Sequence, residues 1–264
     1  MSKKVVLIGA DPEVFIKKIT GKIMSVEGLL GGTKEKPLNK TAWGKGFAVQ
    51  EDNVLAEYNI PACSTAEKFV LSHEFMLARI PEMIKERSNE DIEIKIISSH
   101  VFKAKQLYTE QALLFGCDPD VCVWDLETNE MPSTATMMRT AGGHIHVGWA
   151  NPSLDDSINV IKYMDLLLGI PSIILDTDAR RKELYGKSGA MRYKKYGVEY
   201  RTLSNFWLKS RALMTWAFEQ SVYALELAQK GEFPQDLEHI QEIINTNNIE
   251  AAKELVRKYN INMP

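Results

Sequence analysis

Three short segments place ionisable side chains two residues apart: Asp11 and Glu13, His144 and His146, Glu199 and Arg201. Each pair sits among Val, Ile, Phe or Tyr, the company of a strand, where residues i and i+2 point to the same face. A fourth segment carries Glu57 between Ala56 and Tyr58. Singly, an Asp-x-Glu or Glu-x-Arg pair reads as a solvated strand face or a surface ion pair. Together they describe a sheet with one polar, concave face. Carboxylates crowded there repel one another, and burying them charged costs several kcal/mol each. A bound divalent cation is the usual resolution.

The donor set is dominated by carboxylates with one or two histidines, which favours Mg²⁺ or Mn²⁺ over zinc. Mg²⁺ keeps waters and bridges to phosphates. Arginines and lysines are then expected close by to hold the remaining phosphate charge. They occur in Arg180-Arg181 and Tyr185-Gly186-Lys187-Ser188-Gly189-Ala190-Met191-Arg192 before the Glu-x-Arg strand. Arg139-Thr140 precedes the His-x-His strand, and Gly31-Gly32-Thr33-Lys34 lies in an early glycine-rich loop. That loop is a phosphate-binding candidate without the spacing of a P-loop. Gly142-Gly143, just before His144, lets another backbone or a ligand come close.

The elements that must position these residues follow from local pattern. Residues 4–8 and 14–16 read as strand with Pro12 at an edge or bulge, and Gly21-Lys22 turns back into 23–26. Residues 28–46 read as loop. Residues 47–50 and 54–60 form a hairpin around Asp52-Asn53. Ser64-Thr65-Ala66-Glu67 matches a capping box that opens a helix over 65–88, bent at Pro81. Short strands follow at 92–96, 121–124 and 145–149, with short helix or loop at 103–115. Helices are expected over 154–168 and 170–183, loop over 185–196, strand over 198–203, and a long helix over 207–230. Two short helices at 235–260 are expected on the outside. Gly9-Ala10-Asp11-Pro12-Glu13-Val14 echoes Gly116-Cys117-Asp118-Pro119-Asp120-Val121, which shared turn chemistry explains.

Composition narrows the class. In 264 residues, 45% are hydrophobic and 25% charged, which excludes disorder and disulfide mini-scaffolds. A net charge of −3 argues against bulk nucleic-acid binding. Cys63, Cys117 and Cys122 fit no zinc knuckle and read as small buried hydrophobes in a reducing compartment. No signal peptide is expected at the N-terminus, and no apolar stretch of membrane-spanning length, so the expected place is the cytoplasm.

Assembled in chain order, the motifs resemble a known family. GADPEVFI, TAGGHIHVGW and GVEYR are similar to the acidic-x-Glu, Gly-x-x-His-x-His and Glu-x-Arg strands of glutamine synthetase-type ligases. GGTK, EDNVLAEYNIP, GCDPD, RTAGGHIHVGW, LGIPS and YGKSGAMRYKKYGVEYRTLSNFW resemble, in that order, the phage-type carboxylate–amine ligases, the phiEco32-like COOH·NH2 ligase type 2 family. The resemblance spans about residues 7 to 210. It implies an α+β fold with a glutamine synthetase-like catalytic domain: a curved, mostly antiparallel sheet, the site on its concave face and helices on the other. The expected division is a catalytic domain over 1–232 and a helical appendage over 233–264.

The resemblance further implies ATP and two Mg²⁺ (or Mn²⁺) sites. Glu13 and Glu57 serve one metal, with Asp52 or Glu51 as possible extras. Asp11, His144 and Glu199 serve the other; glutamine synthetase has Glu at the first of these positions. His146 approaches the nucleotide phosphates, with Arg139 and Lys34 as further contacts. Arg192 and Arg201 hold the γ-phosphate and the acyl phosphate, so Glu57, Arg192 and Arg201 are the expected catalytic residues. The implied substrates are a carboxylate and an amine, free or peptide-bound, including a phage or host protein, in the host cytoplasm if the gene is a phage's. No counterpart of the glutamine synthetase N-terminal domain is seen, so ring assembly is not implied. Two rival readings are a metal-dependent hydrolase built on His144 and His146, and a non-enzymatic assembly protein on the same fold.

Overall fold

A computed structural model describes residues 5–113, 120–129, 136–231, 233–234, 237 and 239–264. In chain order the strands and helices of the first half are β1 (Leu7–Ala10), β2 (Glu13–Lys18), β3 (Ile23–Met24), β4 (Ala48–Asp52), β5 (Leu55–Asn59), α1 (Ala66–Ser88), β6 (Ile92–Lys95), β7 (Ser99–Val101), α2 (Glu110–Leu113) and β8 (Val121–Cys122). There follow β9 (Met138–Thr140), β10 (Ile145–Gly148), α3 (Leu154–Met164), α4 (Ile170–Leu175), β11 (Ala190–Lys194), β12 (Gly197–Tyr200), α5 (Arg211–Ala228), α6 (Ile240–Asn245) and α7 (Ile249–Lys258).

The fold is α+β, and every named strand pair is antiparallel. One sheet has the order β1-β10-β12-β11-β8; a second has β3-β2-β5-β4, with β6 also paired to β2. The segment 7–18 joins them. On one side it follows residues 142–148, through β1–β10 pairing and then Glu13 N to Gly142 O at 2.9 Å. On the other it follows β5, with Ile60 N donating to Ala10 O and Tyr58 N to Pro12 O, both at 3.2 Å. Pro12 has no amide hydrogen to give a ladder, and the chain breaks from β1 into β2 there. The two sheets are thus one curved surface through this segment.

Alternation sorts the two faces. Ile8, Ala10, Val14, Ala56, Tyr58, Ile145, Val147, Val198 and Tyr200 are buried in the main core. That core is closed by α1, α3 and α5, which pack on one another and on the strands. The opposite face carries the ionisable residues.

Several expectations shift. The N-cap of α1 is Thr65, which accepts from Lys68 N at 3.3 Å, not Ser64. The helix runs through Pro81 and ends on Asn89 in the left-handed region. Helix 154–168 does not stop at 168: α3 passes through a π turn, Asp165–Gly169, into α4, and 179–183 forms only a 3₁₀ turn. The run 154–175 is long and apolar enough to cross a membrane by length and composition, contrary to the expectation that no stretch is; 72% of its apolar window is buried, as in a core helix. Residues 185–196 are not all loop, since β11 pairs along β12. The long helix starts at Arg211, after a 3₁₀ turn over 205–209. The last two helices each bury one face in the main core, through Ile240 and Ile244 and through Ala252 and Leu255, and α7 leaves Glu250, Lys253, Glu254, Arg257 and Lys258 exposed. Cys63 and Cys122 are buried thiols. Cys117 and the first four residues of the GCDPDV echo lie outside the described residues.

Candidate active site

Neighbouring strands deliver one polar row. Glu199 lies opposite His146 on one side and Arg192 on the other, and His146 lies opposite Gly9. Across the bend, Glu13 lies opposite Glu57, and Glu57 opposite Gln50. Two clusters result. Asp11, His144 and Glu199 form one, and Glu13, Asp52 and Glu57 the other; in each, one ligand atom per residue lies within 4.8 Å of the others. Asp52 is the extra carboxylate. Glu51 has opposite parity on β4 and turns away, accepting from the amides of Gly28, Leu30 and Gly31 at 2.6–2.9 Å.

The glycine pair brings in a backbone. Trp207 Nε1 donates to Gly143 O at 3.1 Å, and Gly143 N to Leu203 O at 3.0 Å. Any Cβ on Gly143 would overlap the Ser204 carbonyl oxygen. Gly142 N donates to Glu13 Oε2 at 2.7 Å, which fixes that carboxylate.

The clusters differ in charge balance. Around the first, His146 Nε2 is 3.0 Å from Asp11 Oδ1, and Lys194 Nζ is 2.8 Å from Glu199 Oε2. Arg201 Nη1 contacts Glu199 Oε1, its Nε donates to Asp120 Oδ2 at 3.0 Å, and Arg192 Nη1 is 3.7 Å from Glu199 Oε1. Burial opposes the Asp11 charge, yet His146 and His144 hold its carboxyl far below the ordinary range. Burial and Asp11 oppose the Glu199 charge, but Arg201 and the two histidines bring it to about 2. His144 is pushed down to about 4 by burial and by Arg201. His146 is lowered by burial, but Asp11 outweighs this and raises it.

The second cluster has carboxylates against carboxylates. Burial, then the Asp52 charge, pushes Glu13 up to about 7. Burial and the charges of Asp11, Asp52 and Glu13 push Glu57 well up, and burial raises Asp52. Gln50 Nε2 donates to Glu57 Oε2 at 2.7 Å. Three buried or half-buried carboxylates converging on one point are a donor set that fits a hard divalent cation. The first set fits one as well, with its charge already partly met by the protein.

A cavity of about 230 Å³ joins both clusters, lined also by Lys34, Gln50, Asn59, Arg192 and Lys194. Lys34 therefore reaches the site, although the amides of Leu30 and Gly31 are taken by Glu51 rather than facing a ligand. His146 does not line this cavity; its Nδ1 lies 2.5 Å from the Tyr196 hydroxyl. Arg139 is a correction. It lines an adjoining chamber, but its guanidinium donates to the carbonyls of Ala112, Thr136 and Met138 at 2.7–3.2 Å, so it braces that wall. Sequence reasoning missed Lys194, Gln50, Asp120 and Tyr196. Lys194 was findable, since it follows Arg192 by two residues; the glycine- and lysine-rich composition hid the strand.

Comparison with known proteins bears on these residues. Residues 131–258 match the family model of the phage phiEco32-like COOH·NH2 ligases, type 2. That span includes His144, His146, Arg192, Glu199 and Arg201, and stops short of Asp11, Glu13, Lys34 and Glu57. No curated protein matches the chain. A solved structure described as a novel glutamine synthase homolog aligns with 98% of this chain and 68% of its own, at 9% identity and a TM-score of 0.34. A likeness that weak carries no argument.

Proposed function

We propose that this protein is an ATP- and Mg²⁺-dependent carboxylate–amine ligase that forms an amide through an acyl phosphate and releases ADP. The observation that carries the reading is the pairing, in one cavity, of two carboxylate clusters with a fringe of Lys34, Arg192, Lys194 and Arg201. A hydrolase built on His144 and His146 needs water and metal only, and gives no reason for that cationic fringe.

A divalent cation held at each cluster would neutralise phosphate charge and polarise the phosphoryl oxygens. The chain's residues do the positioning. Glu13, Asp52 and Glu57 would hold one cation, and Asp11, His144 and Glu199 the other. Lys34, Lys194 and Arg192 receive the phosphate oxygens. Arg201 is held on two sides by Glu199 and Asp120, so its fork is oriented before a ligand arrives. In-line attack of a carboxylate oxygen on the γ-phosphorus forms the acyl phosphate as the bond to the β,γ-bridging oxygen breaks and ADP leaves, a transfer catalysed by alignment and charge stabilisation. The amine displaces phosphate from the acyl phosphate. Free acids and amines, or peptide-bound ones, in a phage-infected cytoplasm are the proposed substrates.

The test is nucleotide analysis with candidate acids, Mg²⁺ and hydroxylamine. ADP, phosphate and a hydroxamate are expected, because hydroxylamine traps acyl phosphates. AMP and pyrophosphate would overturn the mechanism. A binding arm asks whether Mg²⁺–ATP raises stability by ~2.7 kcal/mol at about 100 times its dissociation constant, and ATP with EDTA by much less.

A further inference from the structure

Asp165 is fully buried, on the turn where the core helix run widens into π geometry. Such turns occur often at functional sites. Its carboxylate accepts from Trp124 Nε1 at 2.8 Å, Ser188 Oγ at 2.5 Å, Tyr200 OH at 2.8 Å and Thr202 Oγ1 at 3.4 Å. The chemistry proposed above does not use it. Tyr200 and Thr202 alternate along the chain with Glu199 and Arg201, so Asp165 lies behind the sheet from the site.

A buried carboxylate is weak support for stability, since apolar packing serves a core as well or better. What the four donors share is their location. Tyr200 and Thr202 flank Arg201. Ser188 precedes β11, which carries Arg192 and Lys194. Trp124 closely follows Asp120, the partner of Arg201 Nε. The surroundings are shaped to the same end. A Cβ at Gly169 would lie 2.8 Å from the Tyr200 hydroxyl and 3.2 Å from Asp165 Oδ1, so only glycine leaves room for that bond. Arg181 donates to the carbonyls of Thr202 and Arg201 at 2.9 and 3.4 Å.

We propose that Asp165 is a positioning residue: by gripping Tyr200 and Thr202 from behind the sheet, it fixes the guanidinium of Arg201 against Glu199. The consequence for turnover rests on the ligase reading; the geometry does not.

The test uses the full chain and two readouts. The first is the ¹⁵N spectrum of arginine Nε–H groups. The buried Arg201 Nε–H bonded to Asp120 should give a slowly exchanging signal, assigned by its loss in Arg201→Lys. Asp165→Asn should move or broaden it. The Arg139 Nε–H, assigned through Arg139→Lys, should stay in place. Tyr200→Phe removes a single bond to the same carboxylate; it should act in the same direction and serves if Asp165→Asn does not fold. An Arg201 signal unmoved in either folded variant overturns the proposal. The second readout is a double-mutant cycle on ADP release. Asp165→Asn should lower kcat about 10- to 100-fold, with KM for Mg²⁺–ATP changed by less than about 2-fold. In an Arg201→Lys background the further loss should be under about 3-fold. Losses that multiply independently overturn the proposal. A moved signal in a protein whose wild type shows no ligase turnover sinks the ligase reading and leaves the positioning geometry standing.

Discussion

Glu13→Gln should stabilise the metal-free protein, and by an amount that depends on pH. In the unfolded chain the Glu13 carboxyl titrates near 4.5; folded, burial and Asp52 push it up to about 7. Between those values the native state binds the proton that the unfolded state has lost. Stability therefore falls as pH rises through the window, at ~1.4 kcal/mol per pH unit, reaching roughly 3 kcal/mol by pH 8. Glutamine removes the titration but keeps an oxygen to accept from Gly142 N, which lies 2.7 Å from Glu13 Oε2. Urea unfolding with EDTA, at pH 5 and pH 8, measures both proteins. At pH 5 they should agree within about 1 kcal/mol, and at pH 8 the variant should be more stable by roughly 2–3 kcal/mol. Excess Mg²⁺ or Mn²⁺ should then stabilise the wild type more than the variant, because the ion binds the deprotonated cluster. A variant that unfolds more easily at pH 8 without metal refutes the reasoning: Glu13 would then be a structural ion-pair member, not a repelling ligand.

Arg201→Lys should lose at least about 10-fold in turnover, since an ammonium cannot hold two oxygens in the plane that Glu199 and Asp120 define; near-wild-type rates would place Arg201 outside the phosphate site. His73 is buried and pushed down to about 3 from 6.5 by burial, so it folds neutral and the protein loses stability as pH falls below 6.5. Comparing the wild type with His73→Gln between pH 7 and pH 5, the wild type should lose roughly 2 kcal/mol more; equal slopes would show a protonated His73 in the fold. Gly143→Ala should destabilise by about 1–3 kcal/mol in urea, because the new methyl group meets the Ser204 carbonyl and the Trp207 indole. An unchanged midpoint would mean that the segments around Gly143 and Ser204 separate easily.

The ionisable pairs were legible because strand alternation is local. Asp11 with Glu13, His144 with His146 and Glu199 with Arg201 share faces for a reason contained in three consecutive residues each. The hairpin at 47–60 was equally local, since Asn53 at its tip takes the left-handed backbone that asparagine tolerates. By contrast, β11 has poor local strand character and exists because Met191 to Lys194 find Tyr200 to Gly197 across a ladder. Strand order was likewise invisible. That Glu199 stands between His146 and Arg192, and that segment 7–18 bridges two sheets at Pro12, follow from long-range pairing. Side-chain type misled at Arg139: its guanidinium is claimed locally by the carbonyls of Thr136 and Met138, and by that of Ala112, which only folding brings to it. The choice between Glu51 and Asp52 also lay beyond composition: the β4–β5 register aims Asp52 at Glu57 and Glu13, and Glu51 at the backbone of residues 28–31. Residue types and their period of two thus set which side chains travel together. Which pairs meet to make a site was decided by the register and curvature of the sheet, which only the whole chain's packing determines.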